Sequence, residues 1–102
     1  MIATKAELLG FIHREHRRIR EFGISRIGLF GSFLRDAATP QSDVDLLVEF
    51  APGRKTFRSF MALALYLEDS LGRTVDLLTP ESLSPHIGPK ILSDIEYVPL
   101  AD

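Results

Sequence analysis

Apolar residues recur at helical spacing from the start of the chain: Leu8, Ile12 and Ile19, with Phe11 and Phe22 beside them, repeat until Gly23. Thr4 followed three residues later by Glu7 forms a capping box, so the pattern predicts a helix over about residues 5 to 22. The period then shortens. Ile24, Ile27, Leu29 and Phe30 alternate loosely, as in a buried strand, and run into Gly31-Ser32, after which Phe33 and Leu34 pack a short helix down. The polar stretch Ala37 to Ser42 is a turn, with Pro40 fixing its φ. Asp43 and Asp45 open a second apolar strand that continues from Leu46 to Phe50, and Ala51-Pro52-Gly53-Arg54 closes it. A second long helix is expected over Thr56 to Leu71, ending before Gly72, and a third strand over Arg73 to Thr79. Pro80, Pro85 and Pro89 divide Glu81 to Lys90 into short turns or helical pieces; Ile91, Leu92 and Ile95 suit a final amphipathic turn or two. Tyr97 to Leu100 adds an edge strand, Pro99 arguing against a central one. Strands alternating with helices predict an α/β or α+β sandwich, a small mixed sheet with helices mainly on one face, in a single domain spanning 1–102.

The helix over residues 56–71 carries more apolar surface than a one-sided packing needs. Phe57, Phe60, Met61, Leu63, Leu65, Tyr66, Leu67 and Leu71 go almost all the way round it. A helix on one side of a sheet requires a single stripe, so the surplus points to a second face covered by another chain, unless this is a core helix with an untidy edge.

Candidate chemistry gathers between Leu29 and Val48. Side chains two apart on a strand share a face, so Asp43 and Asp45 point the same way while Val44 points into the core. Two neighbouring carboxylates repel unless a divalent cation holds both ionised, which makes Mg2+ the expected occupant. Upstream, Gly31 lacks a Cβ and lets a phosphate approach the backbone, and Ser32 offers a hydroxyl and N–H groups at a helix start. Arg35, one turn beyond Ser32, either reaches phosphate oxygens or forms a surface ion pair with Asp36. Ser42 is placed to bond the backbone ahead of Asp43, and Glu49 shares the Asp45 face but lies at its far, solvated end. Asp76 sits among Val75, Leu77 and Leu78, where a carboxylate is costly unless it is paired or near water or metal. The first helix also carries His13, Arg14, His16, Arg17, Arg18 and Arg20 on its other side, either a face that meets RNA, ATP phosphates or an acidic partner surface or, as the plainer reading, a solvated face complementing the helix C-terminus.

Gly31-Ser32, followed by Ser42-Asp43-Val44-Asp45-Leu46-Leu47-Val48, resembles the signature of the DNA polymerase beta-like nucleotidyltransferases. The chain length and Val75-Asp76-Leu77-Leu78 resemble the minimal nucleotidyltransferase (MNT) branch, partner of HEPN ribonuclease toxins in two-gene modules. The resemblance implies a polymerase beta-like palm in which ATP lays its phosphates on Gly31-Ser32, with Arg35 and Ser42 nearby. Asp43 and Asp45 would hold Mg2+ and Asp76 would be the third carboxylate. It further implies a hetero-oligomer with a HEPN toxin, neutralised by binding, by AMP transfer to a tyrosine hydroxyl, or by both; the apolar helix at about 56–71 is the candidate docking surface. A small-molecule nucleotidyltransferase working within an oligomer is the alternative. Asp36 departs from the family, where a small residue, often glycine, follows the basic position.

Composition narrows the setting. A chain of 102 residues without cysteine is long enough for a real core and excludes disulfide scaffolds, thiolate zinc sites and cysteine nucleophiles. The N-terminus lacks an apolar run of signal-peptide length and no window approaches a membrane span, so a cytoplasmic protein is expected. A net charge of −2 gives no general attraction for nucleic acid, and no direct nucleic-acid partner is expected.

Overall fold

The structure, a computed structural model, describes residues 1–101. The first expected helix is divided in two: α1 spans Lys5–Arg14 and α2 spans His16–Glu21, with Glu15 between them at φ −103°, ψ 17°. The capping box forms, Thr4 Oγ1 accepting from the Glu7 N–H and the Glu7 carboxylate accepting from the Thr4 N–H. At the break, Glu15 accepts a 2.7 Å hydrogen bond from the Tyr66 hydroxyl.

The break coincides with a correction to the basic face. His16 is buried, and its Nδ1 lies 2.7 Å from the His13 carbonyl, which can only accept, so this nitrogen carries the proton. Arg18 stacks over Phe22 and Tyr66, and Arg20 donates to the Leu100 carbonyl. These cations are partly turned to their own chain.

The remaining elements are β1 (Ile24–Phe30), α3 (Gly31–Leu34), β2 (Val44–Phe50), α4 (Phe57–Leu71), β3 (Val75–Leu78), a 3-10 turn at Pro80–Ser82, α5 (Gly88–Asp94) and β4 (Glu96–Val98). One mixed sheet runs in the order β3-β2-β1-β4. β1 pairs antiparallel with β2 and β4, whereas β2 and β3 are parallel and need a crossover, which α4 supplies. β4, only three residues long and followed by Pro99, takes the edge expected of it.

Alternation assigns the two faces of the sheet. Ile27, Leu29, Val44, Leu46, Val48, Val75 and Leu77 join Leu8, Ile12, Ile19, Leu63, Leu67 and Leu71 of the helices in one core. Burying each of the large side chains contributes about 1.5–3 kcal/mol. The opposite face carries Asp45, Leu47 and Glu49 of β2, and it is covered in part: Leu47 is fully buried, and Ile95, just past α5, occupies the place where a Cβ on Gly28 would stand. The long helices therefore lie on one face and the short α5 segment on the other.

α4 resolves into two stripes. Leu63, Leu67 and Leu71 are fully buried, while Phe57, Met61 and Leu65, spaced one turn apart, are 81%, 39% and 57% exposed. Thr56 caps its start, its hydroxyl accepting from the Ser59 N–H, and Gly72 ends it in the left-handed conformation at φ 68°.

Candidate active site

β1 ends by delivering Gly31 at φ 74°, a conformation that excludes most side chains. Space excludes them as well, because a Cβ here would run into the carboxylate of Asp45. Glycine at this position is thus required twice, and the backbone of the expected phosphate site lies against the first strand carboxylate. Strand register explains the juxtaposition. Phe30 pairs with Asp45 across β1 and β2, and Asp45 pairs with Asp76 across β2 and β3, so one row crosses three strands.

This row lies on the face opposite the core. Asp76 is exposed between buried Val75 and Leu77, Asp45 is half-buried, and Asp43 is exposed just ahead of β2. The apolar neighbours that made Asp76 look costly point away from it; its carboxylate is exposed and acts on Asp45. Burial pushes the Asp45 carboxyl up to about 6, reinforced by Asp76 and then Asp43 and opposed by the Arg35 guanidinium. Both neighbouring carboxylates thus act on Asp45. Among the described residues the three carboxylates do not close into a ready three-ligand cage. Their oxygen donors and mutual repulsion nevertheless fit a hard divalent cation, and Mg2+ is usually held by one or two carboxylates together with substrate phosphates.

Ser32 is half-buried in α3, and Arg35 is exposed at its end. The expected alternative for Arg35, an ion pair with Asp36, does not form among the described residues: Asp36 adopts φ 53°, and its Oδ1 accepts from the Lys5 N–H at 3.0 Å. That amide is one of the unsatisfied donors at the start of α1. The carboxylate that departs from the family pattern is thereby turned toward α1, and its left-handed backbone explains why glycine suits this position.

Ser42 bonds differently from expectation. Its Oγ accepts from the Thr39 N–H at 2.8 Å, closing the turn backward instead of bonding ahead of Asp43. Glu49 is not simply solvated; it lies 3.6 Å from Arg26 Nε and accepts from the Tyr97 hydroxyl at 3.4 Å, four residue pairs away from Asp45.

Arg73 was not singled out by the sequence. It is buried; Nη1 donates to the carbonyls of Thr39 and Ser42 at 2.9 and 2.7 Å, and Nε donates to Ile2 at 2.7 Å. Its guanidinium also lies 5.1 Å from the Phe33 ring centre. Arg73 thus fixes the turn that presents Asp43. The available signal was a cation opening an apolar strand, where five donors seek backbone acceptors.

Residues 13–98 match a family profile described as the nucleotidyltransferase domain. Protein adenylyltransferase MntA of Thermococcus cleftensis is 38% identical over 96 residues, covering 93% of this chain and 96% of that protein. A solved minimal nucleotidyltransferase superposes with a TM-score of 0.69 at 33% identity, covering 89% of this chain and 94% of the other. A structure of tri-AMPylated Shewanella oneidensis HEPN toxin in complex with MNT antitoxin gives a TM-score of 0.61 at 21% identity over 87% of this chain and 70% of the matched one, a likeness of fold.

Proposed function

This chain belongs to the nucleotidyltransferase domain family, and from that premise we propose that it transfers AMP from ATP to a tyrosine hydroxyl of a HEPN-type toxin, neutralising it in the cytoplasm. The observation that carries the reading is the row in which Asp45 stands between Gly31 and Asp76, with Asp76 and Asp43 both acting on the Asp45 carboxyl. Asp43, Asp45 and Asp76 would hold Mg2+, which when bound supplies neutralisation of charge on the attacking and leaving oxygens of an in-line displacement.

The chain's own residues supply positioning. Gly31 admits the phosphates to the backbone, Ser32 offers a hydroxyl, and Arg35 counters their charge. Ser42 contributes through the turn it closes with Thr39, which Arg73 locks and from which Asp43 projects. Asp76, exposed at the sheet edge, orients the attacking hydroxyl and takes its proton. The hydroxyl oxygen bonds to the α-phosphorus, the bond to the β-phosphate oxygen breaks, and pyrophosphate leaves with that electron pair. No covalent enzyme intermediate is required.

The partner docks on the outward stripe of α4, Phe57, Met61 and Leu65. Support for an adenylyl donor and a protein acceptor is the 38% identical adenylyltransferase MntA. Asp36, the one residue that counted against nucleotide binding, bonds to Lys5. The test is intact-mass spectrometry of the HEPN partner after incubation with this protein, ATP and Mg2+. Addition of whole AMP units, absent with the Asp43→Asn, Asp45→Asn double variant, is expected. A stable complex without any mass change would replace transfer by neutralisation through binding alone.

A further inference from the structure

A cleft of about 460 Å³ opens beside Gly31 between α3 and α5. Gly31 and Arg35 line it from α3 and its end, Lys90 and Asp94 from α5, with Phe30 among the lining residues. Two cations distant in sequence therefore border one opening. The position of Lys90 is set by the fold, because α5 leads into Ile95 packed on Gly28, Gly88 is buried, and the Lys90 carbonyl accepts from Ser93 Oγ at 2.9 Å. Its ammonium has no hydrogen-bond or ion-pair partner among the described residues, Asp94 included.

Gly31 touches both neighbourhoods: a Cβ there would meet the Asp45 carboxylate, on which Asp76 and Asp43 act, and the residue itself lines the cleft that carries Arg35, Lys90 and Asp94. A triphosphate whose α-phosphorus reacts at the carboxylate row must direct its outer phosphates away from those negative charges and toward cations. The cleft is of a size ordinary for ligand sites. We propose that Lys90 is a positioning residue that holds the β- and γ-phosphates, the future pyrophosphate, in the cleft opposite Arg35. This rests on the adenylyl-transfer reading and adds to it the direction of the triphosphate and a residue from α5.

The test is calorimetric titration of the full chain with Mg2+ and either β,γ-imido-ATP or AMP, which lacks the outer phosphates. Losing one charge-assisted contact in Lys90→Gln is expected to weaken β,γ-imido-ATP binding roughly five- to tenfold while leaving AMP affinity unchanged. Lys90→Arg should restore most of the affinity, and Asp94→Asn, which removes a repelling charge from the same wall, should tighten β,γ-imido-ATP binding about twofold. Unchanged β,γ-imido-ATP affinity in Lys90→Gln, or an equal loss for AMP, would overturn the proposal while leaving adenylyl transfer standing. Failure of the unsubstituted protein to bind either nucleotide would overturn both together.

Discussion

Asp45→Asn should make the metal-free protein more stable at neutral pH while destroying its proposed activity. The carboxyl is raised from 3.8 to about 6, chiefly by burial and then by Asp76 and Asp43. Between those values the folded protein holds a proton that the unfolded chain has released. Its contribution to stability is therefore full below about pH 4, declines as pH rises toward 6, and is gone above that, leaving a half-buried negative charge to be maintained. About two units would correspond to about 3 kcal/mol for a fully desolvated group. Asp45 is half-exposed, and solvent screening reduces the figure to about 1 kcal/mol. Asparagine keeps the shape and cannot ionise, so it should raise the melting temperature by about 4–8 °C at pH 7.5. At about pH 4, where the wild-type carboxyl is also protonated, the two proteins should melt together. The assay is thermal unfolding followed by circular dichroism in EDTA at both pH values. An equal shift at the two pH values, or a lower melting temperature for the variant at pH 7.5, would refute the reasoning.

Leu65→Lys, on the exposed stripe of α4, should change stability by no more than about 0.5 kcal/mol in thermal unfolding yet abolish co-purification of the proposed HEPN partner. Leu63→Lys, two residues away but fully buried, should instead unfold the protein, and similar behaviour of the two variants would remove the interface argument. Asp36→Ala loses the bond to Lys5 and keeps the left-handed strain, costing about 1–2 kcal/mol in urea denaturation, whereas Asp36→Gly should cost clearly less because it relieves the strain. Arg73→Met leaves the carbonyls of Thr39, Ser42 and Ile2 without their donor and should destabilise the fold by about 2–4 kcal/mol, with hydrogen exchange accelerated first in the turn ahead of Asp43.

Most of the elements were legible because their signals are local. The capping box at Thr4, the glycine ending α4 and the proline beside β4 act within a few residues, and the structure bears them out. Gly31 was legible as a backbone requirement. Its second reason, the carboxylate of Asp45 against it, depends on the pairing of Phe30 with Asp45, which no local pattern specifies. Pairing of Asp45 with Asp76 likewise requires β2 and β3 to lie parallel and in that register. The same limit hid Arg73, whose acceptors lie more than thirty residues earlier, and the cleft at Lys90, which exists only because α5 packs back across the sheet. The break at Glu15 was illegible for a different reason: the apolar period continues through it, so the spacing that announced the helix gave no sign of its division.

The covered and uncovered parts of the second sheet face bear on where an acceptor can approach. Leu47 is fully buried and Ile95 lies on Gly28, whereas Asp76, two residue pairs nearer the strand entrances, is exposed on the edge strand β3. The chain thus builds a wall beside Gly31 through α5, whereas Asp76 stays exposed. A nucleotide entering along the α5 wall would leave the α-phosphorus accessible from the β3 edge, opposite the leaving pyrophosphate, as in-line displacement requires. β3 follows α4 directly in the chain, so an acceptor seated on Phe57, Met61 and Leu65 would reach the carboxylates by passing round that edge. In this geometry docking and transfer would use different surfaces, and a partner held on α4 would stay bound whether or not its hydroxyl had already been modified.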